Sequence, residues 1–208
     1  MSVISSVWAP QVPVILASKS RARRDMLERA GLSPVIIIPE FDERAFEATL
    51  QREGLALSDR AQALANEKAR LVSLANPTRY VIGADQMLVA DAIALHKPEH
   101  LIEAKQQLAF LSGKTHRLIS AVSVVRDGQI LFSHADSADM TMRTLSPAQI
   151  DHYCSLVGDR VLLSVGCYEL EGLGVHLFDR VEGEFFTVLG LPLQPLIGFF
   201  RDEGCLIL

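Results

Sequence analysis

The chain has 208 residues, with 49% hydrophobic and 22% charged, which is the composition of a compact globular protein large enough for one big domain or two small lobes. A formal net charge of −5 excludes a general binder of nucleic acid polymers, because backbone-phosphate affinity needs a broad basic surface. It does not exclude a small basic cluster that holds one phosphorylated ligand.

In chain order, the opening MSVISSVWAPQVP has no basic start and is broken by Pro10 and Pro13, so a signal peptide is not expected. Val14 to Ala17 reads as a short buried strand, followed by Ser18-Lys-Ser20 and a helix from about Arg21 to Ala30 that Gly31 stops. Val35 to Ile38 reads as a second apolar strand ended by Pro39. Ser58 or Asp59 can cap a long helix running to about Ala75. Tyr80 to Ala84 is a third buried strand, and helix returns near Glu99 to Leu111. Arg117 to Val125 and Gln129 to Met142 flank Arg126-Asp127-Gly128, a hairpin signal. Ser146-Pro147 opens another helix, with short strands near Tyr168 and Val175 to Phe178 and a last helix over Pro192 to Arg201. Alternating strands and helices make the class α/β, with a mixed sheet. No apolar run reaches the roughly 20 residues that span a bilayer, so no membrane is expected. Three cysteines without CxxC spacing (Cys154, Cys167, Cys205) fit free thiols in the cytoplasm.

Several segments carry candidate chemistry. Ser20 is a natural N-cap, which puts Arg21, Arg23 and Arg24 in the first helical turn, where the helix dipole disfavours cations. Free N–H groups, the hydroxyls of Ser18 and Ser20 and clustered guanidinium groups together make an anion site directly after a buried strand. The alternative is a solvated basic patch paired to Asp25 and Glu28. Asp85 lies at the carboxyl end of the Tyr80 to Ala84 strand, and Asp42 and Glu43 follow the Val35 to Ile38 strand similarly. Such carboxylates suit Mg²⁺ shared with substrate phosphates, or a general base, or merely the cap of a turn or helix. Lys68 falls on the apolar stripe Ala61, Leu64, Ala65 and Val72, so it either snorkels to the core's edge or reaches into a site. Lys97 precedes Pro98, which holds it extended beside a loop.

Other patterns fail. Ser112-Gly-Lys-Thr115 has Leu108 where a phosphate loop needs glycine, which undercuts a phosphotransferase. Pro98 between His96 and His100 prevents a helical zinc pair. Gly172-Leu-Gly174 lacks a third glycine and reads as a turn.

Over nearly its whole length the chain resembles the Maf family of nucleotide pyrophosphatases. The matching pieces are Leu16-Ala-Ser-Lys-Ser-Arg-Ala-Arg-Arg24 with Met26-Leu27, Asp42-Glu43, Glu67-Lys68-Ala69, Gly83-Ala-Asp85, Lys97-Pro98, Leu111-Ser-Gly113 with His116, Glu182-Gly183 and Val188 to Leu193. The resemblance implies an inosine triphosphatase-like α/β fold, one domain over residues 1–208 with two lobes about a central cleft. It implies hydrolysis of a nucleoside triphosphate to the monophosphate and pyrophosphate with Mg²⁺ or Mn²⁺, in a cytoplasmic and often dimeric protein. By the same resemblance Asp85 is the general base, Glu43 a metal or water ligand beside it, and Ser18, Arg23, Lys68 and Lys97 hold phosphate, with Ser20 and Arg24 in the same loop. Gln86 and Glu171 look like the branch acting on 7-methyl-GTP, whose cationic base a carboxylate can pair with. The chain departs from both branches at Ala22, where a large residue is usual, and at Arg21, where proline is usual. Ser164-Val165 replaces the lysine-alanine of the dTTP/UTP branch, and a dTTP/UTP-preferring pyrophosphatase stays the alternative for the substrate. A non-catalytic nucleotide-binding regulator of cell division is the alternative, against which the set Glu43, Lys68, Asp85 and Lys97 argues, since a pure binder needs no base.

Overall fold

The computed structural model describes residues 7–208, so Met1 to Ser6 of the opening segment lie outside the described residues. In chain order the elements are β1 (Ile15–Leu16), α1 (Arg21–Arg29), β2 (Val35–Ile36), α2 (Glu43–Arg52), α3 (Leu57–Ala75), β3 (Val81–Ala90), β4 (Ile93–Leu95) and α4 (Leu101–Leu111). Then follow β5 (Thr115–Arg126), β6 (Gln129–Met142), α5 (Pro147–Val157), β7 (Phe178–Glu182), α6 (Phe185–Val188) and α7 (Leu193–Asp202). The chain forms two compact units: one of residues up to Gln86 with Ser120–Asp136 and Gly190–Leu208, the other of Met87–Ile119 and Ser137–Leu189.

In the first unit the strand order is β2-β1-β3-β5-β6. β1 is parallel to both neighbours, with Ile15 opposite Val35 on one side and Val81 on the other. The side chains of β1 are buried, and the unit's core gathers Ile15, Ala17, Ala69, Val72, Val81 and Val125. The hairpin between β5 and β6 turns through Asp127 and Gly128, both left-handed (φ 52° and 74°), as two-residue hairpin turns require. In α1, Ser20 accepts from the Arg23 N–H as N-cap. The stop is the expected one: Gly31 is left-handed (φ 83°), and the Leu32 N–H closes back on the Leu27 carbonyl.

In the second unit β4 returns antiparallel to β3, with Leu88 opposite Leu95, and β7 lies antiparallel to β6, with Asp139 opposite Glu182. The α/β class and mixed sheet are therefore as the sequence implies. Its core packs Leu88, Leu108, Leu111, Met140, Met142, Ile150 and Tyr153. At about 1.5–3 kcal/mol for each large side chain fully removed from water, this cluster is the unit's main source of stability. Ser146 opens α5 with a reciprocal capping box to Gln149, and Pro147 stands at the first helical position.

Several element expectations need correction. β2 is two residues, not four, and its side chains are exposed. The cap of α3 is Ala56, which offers no side-chain acceptor, rather than Ser58 or Asp59. Helix α2, strand β4 and the short α6 were not foreseen. No strand forms at Tyr168, nor over Val175 to Leu177: Gly166 and Cys167 both have positive φ (79° and 67°), tight 3-10 turns span Val165–Cys167 and Leu173–Leu177, and β7 begins only at Phe178. Among the described residues no helix is long and apolar enough to cross a membrane.

Candidate active site

The first unit gathers the loop after β1, the start of α2, the middle of α3 and the end of its part of β3. Gly83 is the reason the last two meet. A Cβ there would stand 2.1 Å from the Ala65 carbonyl oxygen and 2.9 Å from the Ala69 side chain, so only glycine lets α3 lie this close to β3. That approach brings Lys68 on α3 to Asp85 on β3.

Lys68 is 7% exposed, and its ammonium donates to Asp85 Oδ1 at 2.7 Å. The same nitrogen stands 2.6 Å from Glu43 Oε2. The apolar stripe therefore carries Lys68 inward to two carboxylates rather than letting it snorkel outward. Glu43 is the first residue of α2, and Asp42 caps that helix by accepting the Ala45 N–H at 2.9 Å. Of the adjacent acids, one caps a helix while the other reaches the cluster. The Glu43 side chain remains half exposed, whereas that of Asp85 is 12% exposed.

Arg23, 9% exposed, ties the loop to this cluster. Its Nε donates to the Gly190 carbonyl at 2.8 Å, and its Nη1 donates to the Ala84 carbonyl at 2.8 Å and to Ser18 Oγ at 3.2 Å. Burial pulls the Arg23 pKa below its ordinary value, while the charges of Asp85 and Glu43 act in the opposite sense. Ser18 Oγ also accepts the Ser20 N–H at 3.2 Å. Both lone pairs of that hydroxyl are thus in use, and its remaining capacity is to donate the O–H proton. Gly190 is left-handed (φ 93°), and an added Cβ would stand 3.3 Å from Gln86 Oε1, so the turn that presents this carbonyl is also closely packed. Gln86 itself donates to the buried Ser120 hydroxyl at 3.1 Å.

The other arginines of the loop behave differently. Arg21 stands 3.4 Å from Asp25, and Arg24 stands 3.5 Å from Asp25 and 3.8 Å from Glu28, all at the surface. Ala22 is half-buried between them. Ser18, Ser20, Arg23, Lys68, Asp85, Glu43 and Gln86 are therefore assembled within one unit. Lys97, exposed before the buried Pro98, and Glu171, exposed in a turn, belong to the second unit. Sequence reasoning missed the backbone acceptors Ala84 and Gly190 and the partner hydroxyl of Ser120. Carbonyls have no side-chain signature, and Ser120 lies inside an apolar strand pattern.

The donor set bears on a metal. Glu43 and Asp85 each place one oxygen within 2.7 Å of a single point, so the two carboxylates can share a cation. Among the described residues no group of three or more His, Cys, Asp or Glu side chains could hold an ion. Two carboxylates alone fit Mg²⁺ or Mn²⁺, which complete their shell with water and phosphate oxygens, and do not fit a closed zinc site. Chemically, the cluster offers fixed cations and an O–H donor to a polyphosphate, and a carboxylate to a water.

Comparison with known proteins agrees in kind. The family described as "Maf-like protein" matches residues 13–203. A "Nucleoside triphosphate pyrophosphatase" from Nitrobacter hamburgensis is 50% identical over 98% of this chain and 100% of its own length. A "7-methyl-GTP pyrophosphatase" from Brucella abortus is 45% identical over 94% of this chain and 98% of its own. A solved nucleoside-triphosphatase / dITP/XTP pyrophosphatase from Mycobacterium abscessus aligns over 93% of this chain and 95% of that one, at 14% identity and a TM-score of 0.37. At that score the α/β class rests on the strand pairings described above and not on this likeness.

Proposed function

This chain belongs to the Maf-like protein family, and from that premise we propose that it is a pyrophosphatase that hydrolyses nucleoside triphosphates to the monophosphate and pyrophosphate. The observation that carries the reading is Lys68 drawn between Glu43 and Asp85 beside a loop of buried hydroxyl and guanidinium donors. A protein that only bound phosphate would need no general base at that point.

The Ser18 O–H and the loop's backbone N–H groups donate to phosphate oxygens, and Lys68 adds positive charge beside them. In the unliganded chain Asp85 Oδ1 accepts from Lys68, and with substrate bound the Asp85 carboxylate accepts a proton from a water that adds to the α-phosphorus. The bond between the α-phosphorus and the bridging oxygen breaks, and pyrophosphate leaves with that oxygen. Arg23 holds the Ala84 carbonyl and hence the backbone entering Asp85, so the base is oriented before substrate arrives. Mg²⁺ or Mn²⁺ held by Glu43 and Asp85 would neutralise charge on the phosphates.

For the base, we assign 7-methyl-GTP among the substrates, with Gln86 contacting it and Ala22, Ser20 and Arg24 bordering the nucleotide. Support comes from relatives named for that nucleotide at 45% and 46% identity. Relatives named only as nucleoside triphosphate pyrophosphatases stand at 45% to 50%. The reading includes a cytoplasmic location, in keeping with three free cysteines, and takes the homodimer from the family resemblance alone.

The test is pyrophosphate release with Mg²⁺ or Mn²⁺ over 7-methyl-GTP, UTP, dTTP and CTP. Asp85→Asn is expected to lower turnover by about 10²–10⁴ with nucleotide binding retained. Near-normal turnover by that variant would remove Asp85 from the mechanism. No release from any nucleotide by the unaltered protein, with binding still measurable, would leave a nucleotide-binding regulator.

A further inference from the structure

The contact between Lys68 and its two carboxylates has a consequence for the order in which ligands enter, and it rests on the pyrophosphatase reading above. The ammonium donates to Asp85 Oδ1 at 2.7 Å and stands 2.6 Å from Glu43 Oε2 in an ion pair. Glu43 and Asp85 carry two negative charges, and the nearby Lys68 and Arg23 carry two positive ones, so the cluster is formally neutral. A divalent cation using Oε2 and Oδ1 must displace the ammonium. One using the other oxygen of each carboxylate would face an ammonium held on the first. Either way, the two carboxylates are a poor metal site for as long as Lys68 holds them.

Arg23 cannot yield, because it is buried and spans the Gly190 and Ala84 carbonyls and Ser18. Lys68 can. Its backbone is fixed where α3 lies against Gly83, but four methylene groups separate that backbone from the charge, and the ammonium can be redirected by side-chain rotation alone. A triphosphate set against the Ser18 loop supplies several anionic oxygens, which compete for the ammonium more strongly than two carboxylates already sharing the field of Arg23.

We infer that Lys68 is an exchange cation: it holds Glu43 and Asp85 until phosphate oxygens draw it away, so that the divalent metal and the triphosphate bind together rather than independently. Lys68 thereby serves the substrate twice, as a phosphate donor and as the gate on the metal ligands.

The experiment measures binding without turnover, on the full chain and on Lys68→Met, which keeps the length of the side chain and removes its charge. Mn²⁺ binding is followed by the paramagnetic resonance signal of the free ion, and inorganic tripolyphosphate binding by calorimetry in EDTA. Lys68→Met is expected to bind Mn²⁺ alone about 10–100-fold more tightly than the unaltered chain, the usual range of a coupling between two ligands. It is also expected to bind tripolyphosphate at least about 10-fold more weakly, through loss of a charge-assisted hydrogen bond. Weaker tripolyphosphate binding with unchanged Mn²⁺ binding would make Lys68 a phosphate ligand only and overturn the exchange. Unchanged binding of both would make it structural and overturn it equally. If circular dichroism shows that Lys68→Met does not fold, the unaltered chain decides. Tight one-site Mn²⁺ binding without tripolyphosphate, lost in Asp85→Asn, overturns the gate, and weak binding that tripolyphosphate strengthens supports it. Pyrophosphate release is scored separately, so failure of the enzyme reading and failure of the exchange are told apart.

Discussion

Gly83→Ala tests whether the meeting of α3 and β3 makes the site. The added Cβ would lie 2.1 Å from the Ala65 carbonyl oxygen, and Cβ contacts under 3.0 Å are essentially never found, so helix and strand must part locally by at least 0.9 Å, the difference of the two. The obstacle is backbone, flanked by Ala65 and Ala69 that are themselves fully buried, so no side chain can turn aside to relieve it. Overpacking of this kind costs about 1–3 kcal/mol and sometimes more, and a backbone obstacle belongs at the upper end. For a chain of this size, roughly 3 kcal/mol lowers the midpoint of thermal unfolding by about 6–12 °C. Lys68 lies between Ala65 and Ala69 on α3, so the same displacement lengthens its 2.7 Å contact with Asp85. A misplacement of about 1 Å among reacting groups can lower turnover by roughly 10²-fold. Thermal melts and pyrophosphate release on the same preparations measure both effects. Gly198→Ala is the control: nothing lies within 4 Å of that Cβ, and alanine in a helix gains about 0.5–1 kcal/mol over glycine. If Gly83→Ala melted within 2 °C of the unaltered protein and kept its turnover, the close approach would not be what sets Lys68 against Asp85.

Two further outcomes are expected. Asp42→Ala removes the cap of α2 and should cost about 0.5–2 kcal/mol in urea denaturation, together with part of the turnover because Glu43 heads that helix, whereas Asp42→Ser should keep both. Burial pushes His116 down to about 4, with Asp139 acting the other way, so its neutral form stabilises the fold above the unfolded value near 6.5, and that stability is lost as pH falls through the folded value. Over the interval from 6.5 to about 4 the loss amounts to roughly 3 kcal/mol, and His116→Phe should flatten the acid side of the urea stability profile. An unchanged slope in that variant would assign the acid limb to other groups.

How much of this was legible in the residues depends on where each signal is written. Periodicity put Lys68 on a buried stripe, but a helical stripe says only that a lysine points inward. What it meets depended on a missing Cβ in another segment, and Gly83 is read as a close approach only once its neighbours are known. Helix α2 escaped because Phe46 and Leu50, one turn apart, are almost its whole apolar face, and Asp42 was weighed as a ligand as well as a cap. The stretch through Tyr168 looked extended from its apolar content. Yet two consecutive positive φ values at Gly166 and Cys167 forbid a strand, and a cysteine does not announce such a backbone.

The same distinction explains why the chemistry was easier to find than the way it is held. Ser18, Lys68 and Asp85 are side chains of the right type at the ends of strands or on a buried face, and type and place can both be read in a linear string. Arg23 belongs to the same loop as Arg21 and Arg24, and nothing in Arg-Ala-Arg-Arg separates them. Its partners make the difference, since two are backbone carbonyls, one of them 167 positions away. One helical turn sends Arg21 and Arg24 to Asp25 and Glu28 at the surface and sends Arg23 inward, where burial is compensated by those carbonyls and by the charges of Asp85 and Glu43. The functional meaning of an arginine cluster therefore lies in which member the helix turns toward the core.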